Sequence, residues 1–133
     1  MKNNSANKNW FIESLHQDYR LMISKSSMVY SGKTAYQSVE IFQNDTLGKV
    51  LILDGIIQLT EADEANYHEM MSHVPLFSLD SVNNVLIIGG ADGGVLREVV
   101  KHQVNRIVIV DIDGDVVDLC KAHLPSISKK AFD

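Results

Sequence analysis

The sequence predicts an N-terminal antiparallel β-domain followed by the first part of an α/β domain with a parallel sheet, and three observations carry that reading. Residues 85–94, VLIIGGADGG, set an apolar run before a glycine-rich turn; residues 104–113, VNRIVIVDID, form a second apolar run ending in carboxylates. Between residues 19 and 60, short runs of β-forming residues are separated by Ser-Gly, Asn-Asp and Asp-Gly turn signals. A strand, a glycine turn, a short helix and a second strand, in that order, build a site for a nucleotide-like ligand. The chain has 133 residues and the pattern begins only after residue 84. It therefore supplies two strands and two helices where a doubly wound sheet takes about five or six strands. The expected division is 1–62 for the β-domain and 63–133 for the N-terminal portion of the nucleoside-binding domain. The chain is expected to stop before its active site is complete.

Residues 1 to about 8 read as a loosely ordered tail, and WFIESL opens the ordered part. YRLMISKSSMVYSG, AYQSVEIFQND and GKVLILDGIIQLT read as strands. In AYQSVEIF the positions Ala35, Gln37, Val39 and Ile41 alternate with Tyr36, Ser38, Glu40 and Phe42, which puts Gln37 on the buried side, where an amide needs partners. Asp54-Gly55 between VLIL and IIQLT predicts a tight hairpin that brings Leu53 near Gln58. A helix is expected from about Asp63 to Phe77, with Thr60 as N-cap and Pro75 disrupting the last turn. Met70 and Met71 are expected to pack in the core beside Val74. The continuous apolar strand VLIIGG suits a parallel sheet covered on both faces. GVLREVVKHQ reads as a helix, RIVIVDI as a strand and DVVDLCKAHL as a helix stopped near Pro125.

Composition sets wider bounds. With 45% hydrophobic and 22% charged residues and a formal charge of -5, the chain reads as globular rather than disordered, and its acidic balance argues against nucleic acid and suits a cationic partner. No stretch approaches the length of about 18 apolar residues needed to span a membrane, and MKNNSANKN lacks the apolar segment of a secretory signal. Cytoplasm is the expected location. The single Cys120 has no internal disulfide partner and reads as a packed thiol.

Gly89, Gly90, Gly93 and Gly94 allow unusual dihedrals and close backbone approach where the strand turns into a helix, whose exposed amides can hold a polar ligand. Asp111 follows Gly89 by 22 residues at the end of the next strand, close to the separation used to reach ribose hydroxyls. Asp92, however, sits within the turn where a pyrophosphate would have to approach. A carboxylate there repels phosphate and welcomes an amine or a sulfonium, which points away from NAD and toward an S-adenosyl compound.

At these residues the sequence closely resembles the spermidine synthase family, the polyamine aminopropyltransferases, through YSGKTAYQSVEIFQND, GKVLILDGIIQLTEADEANYHEMMSHVPL, NNVLIIGGADGGVLREVVKH and IVIVDIDGDVVDLCKAHLP. The resemblance implies an N-terminal β-domain joined to a Rossmann-like, methyltransferase-type domain. It implies transfer of an aminopropyl group from decarboxylated S-adenosylmethionine, a co-substrate, to putrescine, giving spermidine and methylthioadenosine, with no metal and no redox cofactor. It also implies a homodimer or homotetramer assembled through the N-terminal domain.

Carried over by position, the donor is expected at Gln37, Leu53, Gly89, Gly90, Asp92, Gly93 and Asp111, with Asp92 near the donor's amine and Asp111 on the ribose hydroxyls. Gln58, Tyr67 and His68 resemble positions that bind the acceptor or close the site. The family's catalytic aspartate base would lie beyond residue 133. Three departures stand out: Ala91 replaces the usual middle glycine, Asp111 the more usual glutamate, and Ala62 the usual arginine of the TERDE segment. The first tightens the turn and the second shortens a ligand-binding arm by one methylene, neither removing the required chemistry, and the third changes a surface or local ionic contact.

Plainer readings compete at each site. Tyr67 and His68 could pack α-helix to β-domain, and Gln37 and Gln58 are ordinary strand amides outside their family-like context. His68 and His73 tempt a zinc reading, but five residues of helix turn them about 140° apart. Asp111, Asp113 and Asp115 imitate a calcium loop, yet its sixth position is Val116 and its twelfth Ala122. Asp113 suits a helix cap, and Asp115 and Asp118 a solvated face. Lys129 and Lys130 are too few for a nucleic-acid surface. A methyltransferase on the same architecture, or a non-catalytic oligomerisation fragment, are the alternative functions.

Overall fold

The computed structural model describes residues 9–133; the expected N-terminal tail lies outside the described residues. The chain divides into two compact units, residues 1–60 and 61–133.

In the first unit, β1 (Asn9–Ile12) and β2 (Met22–Lys25) form an antiparallel ribbon, while β3 (Ser27–Lys33), β4 (Ser38–Asn44), β5 (Gly48–Leu53) and β6 (Ile56–Thr60) form an antiparallel meander in that order. The single run expected across residues 19–32 is thus two strands divided at Ser26. Ser26 donates its N–H to the Gln43 carbonyl at 2.8 Å, and the Ser26 hydroxyl bonds Asp45.

The alternation expected in β4 holds on one face only. Val39 and Ile41 are buried, and so is Phe42, which the pattern placed on the other side. Phe42 packs with Val50 and Ile52 against Phe11 and Ile23 of the ribbon. A second sheet covers Phe42 on that face, while Ser38 and Glu40 stay partly exposed. Gln37 precedes β4, half-buried, in a turn where Thr34 and Gln37 bond each other's backbone.

Asp54 (φ 48°) and Gly55 (φ 75°) make the β5–β6 hairpin turn, the two successive positive φ values that Asp-Gly tolerates. Leu53 and Gln58, expected to lie near each other across the hairpin, are not cross-strand partners. Leu53 pairs with Ile56 and Ile52 with Ile57, and a register shift before Leu51–Leu59 leaves Gln58 as the extra, exposed residue of a bulge.

The second unit begins with α1 (Glu64–Phe77), then β7 (Asn84–Ile88), α2 (Gly94–Val99), β8 (Arg106–Val110), α3 (Gly114–His123) and α4 (Pro125–Ser128). β7 and β8 pair in parallel. Thr60 does not cap α1; it ends β6, and Asp63 takes the cap position without a side-chain capping hydrogen bond. Pro75 lies inside α1, which runs on to Phe77 as expected. Its missing N–H falls in the final turn, where the Ser78 N–H and hydroxyl both close on the Pro75 carbonyl at 3.3 and 2.7 Å.

Met70, Met71 and Val74 are exposed, contrary to the core packing expected of them, because α1 turns Glu64, His68 and Ser72 inward instead. α2 stops at Val99, four residues short of the expected helix's end at Gln103. On the sheet, Val85 and Ile87 pack with Leu96, Val99, Ile107 and Ile109, whereas Leu86 and Ile88 face outward, Ile88 82% exposed. The face expected to be covered is open among the described residues. Asp113 caps α3 as expected, accepting from the Val116 N–H at 3.3 Å.

Candidate functional site

Two loops at the carboxyl ends of adjacent parallel strands build the site. The first runs from Gly89 to Gly93. Gly89, Gly90 and Gly93 all have φ between 75° and 80°, the left-handed region that side chains disfavour, and the Gly89 N–H donates to the Val110 carbonyl at 2.7 Å, tying the turn to β8. The second carries Asp111, whose Oδ1 accepts from the Asp113 N–H at 2.9 Å. Crevices outside the carboxyl ends of parallel strands are where such sheets bind ligands.

Asp92 is held from below. The Gly94 N–H donates to its Oδ1 at 2.7 Å, and His68 Nε2 stands 3.2 Å from the same oxygen. The start of α2 is therefore already occupied by a carboxylate, and a phosphate would meet like charge there. Burial raises the Asp92 pKa, but the bonds from His68 and Gly94 outweigh it and hold the group below its ordinary value. At Gly94 a Cβ would lie 2.3 Å from the His68 ring, so only glycine lets the imidazole approach.

His68 is the inner end of a buried charge network. Its Nδ1 is 2.5 Å from Glu64 Oε2. Arg97 bonds both oxygens of Glu64 at 2.9 Å each, reaches Glu98 Oε1 with Nε at 2.7 Å and donates to the Ile127 carbonyl at 2.6 Å. Glu98 also receives Lys101, and accepts from or pairs with His73 Nε2 at 3.0 Å; His73 Nδ1 meets His102 Nε2 at 2.8 Å. Burial raises the Glu98 pKa, yet Lys101 and Arg97 bring it down to about 2. Burial likewise raises Glu64, which Arg97 and His68 hold below its ordinary value, and lowers His68, which Asp92 and Glu64 raise above its own. Cys120 is buried and pushed up to about 12 by that burial and by the negative charges of Asp92 and Asp111, an unreactive thiol.

Among the predicted site residues, Gly89, Gly90, Asp92, Gly93, Asp111, Tyr67 and His68 lie in the second unit. Tyr67 is exposed on α1, edge-on to the His68 ring. Gln37, Leu53 and Gln58 lie in the first unit, Gln37 and Asp54 lining a surface recess of about 350 Å³ with Lys33, Thr34 and Tyr36. His68 and His73 go to separate partners rather than to a common point. Sequence reasoning missed Glu64, Arg97 and Glu98. The spacing of Glu64 and His68, one helical turn apart, was a visible signal; the Arg97 contact, 33 residues away in sequence, was not.

Residues 64–133 match the family described as the spermine/spermidine synthase domain, and residues 9–61 the spermidine synthase tetramerisation domain. Polyamine aminopropyltransferase 1 of Pseudomonas aeruginosa is 52% identical over 122 residues, covering 91% of this chain and 43% of that protein. The polyamine aminopropyltransferase of a Ruegeria species is 46% identical over 125 residues, covering 93% and 44%. The crystal structure of spermidine synthase from Thermotoga maritima superposes with a TM-score of 0.90 at 41% identity, over 94% of this chain and 44% of that one. A spermidine synthase solved in complex with the transition state analogue AdoDATO matches equally well, at the same TM-score, identity and coverage. The chain thus spans less than half the length of the relatives it matches. Across that span, with both of its units matched in order, it belongs to the spermine/spermidine synthase family.

Proposed function

We propose that the whole protein transfers an aminopropyl group from decarboxylated S-adenosylmethionine to putrescine, yielding spermidine and methylthioadenosine. The observation that carries this reading is Asp92, an ionised carboxylate set in a glycine turn that a phosphate-binding loop would leave uncharged. Asp111 follows the adjacent strand and suits a pair of ribose hydroxyls.

The donor carries its own activation. The acceptor nitrogen attacks the methylene beside the sulfonium; the new C–N bond forms as the C–S bond breaks, its electron pair goes to sulfur, and the displaced group leaves as a neutral thioether. The nitrogen must first lose a proton, because an amine is protonated at neutral pH. None of the described residues is assigned as that base. Asp92 holds the cationic end of the donor and so aligns the reacting carbon. Gly89, Gly90 and Gly93 let the backbone approach the nucleoside. Gln37 and Leu53 are read as further donor contacts, Gln58 and Tyr67 as acceptor contacts, and His68 as the wall behind Asp92.

The reading also places the protein in the cytoplasm, where a lone Cys120 stays reduced, and in a homodimer or homotetramer formed through the N-terminal unit. Among the described residues no helix is long and apolar enough to cross a membrane. A methyltransferase would use Asp111 equally well, and S-adenosylmethionine also carries an amine for Asp92; the N-terminal unit, matched to the spermidine synthase tetramerisation domain, favours aminopropyl transfer.

Incubating the full-length protein with labelled donor and putrescine should release spermidine and methylthioadenosine in equal amounts. Methyl transfer, or turnover without methylthioadenosine, rejects the reading.

A further inference from the structure

His68 is only 2% exposed, and each of its ring nitrogens faces a carboxylate oxygen: Glu64 Oε2 at 2.5 Å from Nδ1 and Asp92 Oδ1 at 3.2 Å from Nε2. An ionised carboxylate only accepts hydrogen bonds, whereas a neutral imidazole has one N–H and one lone pair. A neutral ring would therefore set its lone pair against one of the two oxygens. Two acceptors require two donors, so the arrangement calls for the doubly protonated ring.

The two contacts are unequal. Glu64 is the closer partner and is itself fixed by both nitrogens of the Arg97 fork. When the ring loses one proton, the survivor stays on Nδ1 with Glu64, and Nε2 turns a lone pair toward Asp92.

We propose that Glu64 is a positioning residue that acts through His68: with the ring doubly protonated, Nε2–H pins Oδ1 of Asp92 and leaves its other oxygen for a cationic ligand group, and loss of the ring proton releases Asp92 from that orientation. This rests on the function proposed above. Among the described residues, the charged and titratable groups facing this chain of contacts are Glu64 and Tyr67 on α1, Arg97 and its partner Glu98 on α2 and, near Asp92, Cys120 on α3 with Asp111 after β8. The raised His68 pKa agrees with the geometry.

The experiment compares two ligands by calorimetry on the full-length protein. Decarboxylated S-adenosylmethionine carries the cationic aminopropyl arm; methylthioadenosine lacks it. Between about pH 6 and about pH 9, below the range where a primary amine discharges, donor affinity of the wild type should fall about tenfold, the worth of one charge-assisted hydrogen bond, while methylthioadenosine affinity stays level.

Glu64→Gln replaces the charged acceptor with an amide whose N–H can donate to Nδ1, which leaves the surviving ring proton on Nε2 and should flatten the donor profile. Nitrogen-15 signals of His68 should show two protonated ring nitrogens at neutral pH in the wild type and one, at Nε2, in Glu64→Gln. A packing role alone would shift both ligands together and leave the profile's shape unchanged. A singly protonated wild-type ring at neutral pH, or identical donor profiles in wild type and variant, overturns the proposal. Should Glu64→Gln not fold, a flat wild-type profile overturns it alone. If the wild type binds neither ligand, the functional reading fails, and the ring signals still decide whether Glu64 and Asp92 share a doubly protonated His68.

Discussion

The two units solve the same burial problem with opposite chemistry. The first closes its sheet with apolar side chains: Val39, Ile41, Phe42, Val50, Leu51 and Ile52 are all nearly or fully excluded from water. The second buries Glu64, His68, Arg97, Glu98 and Asp113 alongside its smaller apolar core. Apolar burial is non-directional and indifferent to pH, so it suits a scaffold. Buried ions are costly unless every one is paired, and replacing them with apolar residues is often neutral or stabilising. They are concentrated directly behind Asp92 and nearly absent from the core of the sheet.

The contrast breaks most visibly on removal of one central side chain from each unit. Arg97→Leu strands the carboxylates of Glu64 and Glu98 and should cost about 3–5 kcal/mol. Phe42→Ala leaves a cavity between sheet and ribbon and should cost a similar amount, about 3–5 kcal/mol. Denaturant titrations at two pH values tell them apart. The Arg97→Leu penalty should shrink in acid as the stranded carboxylates protonate, whereas the Phe42→Ala penalty should not change. Equal pH behaviour in the two variants would dissolve the distinction.

The unmodified protein should show the same division. Glu98 has its pKa depressed from 4.5 to about 2, and Glu64 and Asp92 are depressed too, so their stabilisation is complete above the ordinary carboxylate range and is lost as pH falls through the folded values. His68 is raised above 6.5, so its contribution is complete below that value and is lost as pH rises through the folded one. Amide protection factors, with the intrinsic pH dependence of exchange divided out, should therefore be highest for residues 61–133 in the mildly acidic to neutral range and fall on both sides, while those of residues 38–60 change far less.

Gly94→Ala tests the close approach that makes the network possible. Its Cβ would fall 2.3 Å from the His68 ring, and forcing the ring away should cost about 1–3 kcal/mol, read as a lowered melting temperature. Asp113→Ala is the smallest change. It removes the α3 cap and should cost about 1 kcal/mol, without altering the pH profile of the network.

The same contrast explains what the sequence disclosed. The Asp54-Gly55 hairpin, the glycine turn and the Asp113 cap were legible because each is decided by a few adjacent residues: positive φ at Gly55, Gly89 and Gly93, and a carboxylate three residues before its N–H partner. The positions of Asp92 and Asp111 were legible for the same reason, each following its own strand. The burial of Phe42 was not, because the ribbon that covers it comes from residues 9–25 and period-two alternation counts only one sheet. Gln58 was misplaced by a one-residue bulge that no local signal announces. The exposure of Met70 and Met71 ran against hydrophobicity because α1 spends its inward face on Glu64, His68 and Ser72, whose partners Arg97, Asp92 and Val95 lie in a distant part of the chain. Charged residues on a helix read as solvated until their partners are known.

The central claim is that Asp92 meets the cationic arm of an S-adenosyl donor while Asp111 meets its ribose. Calorimetric titration of full-length Asp92→Asn and Asp111→Ala with decarboxylated S-adenosylmethionine and with methylthioadenosine tests it directly. Asp92→Asn should weaken the donor by about tenfold or more and leave methylthioadenosine nearly unchanged, since only the donor carries the charged arm. Asp111→Ala should weaken both ligands alike. Equal losses for the two ligands in Asp92→Asn, or wild-type binding of both in a folded Asp111→Ala protein, would contradict the assignment.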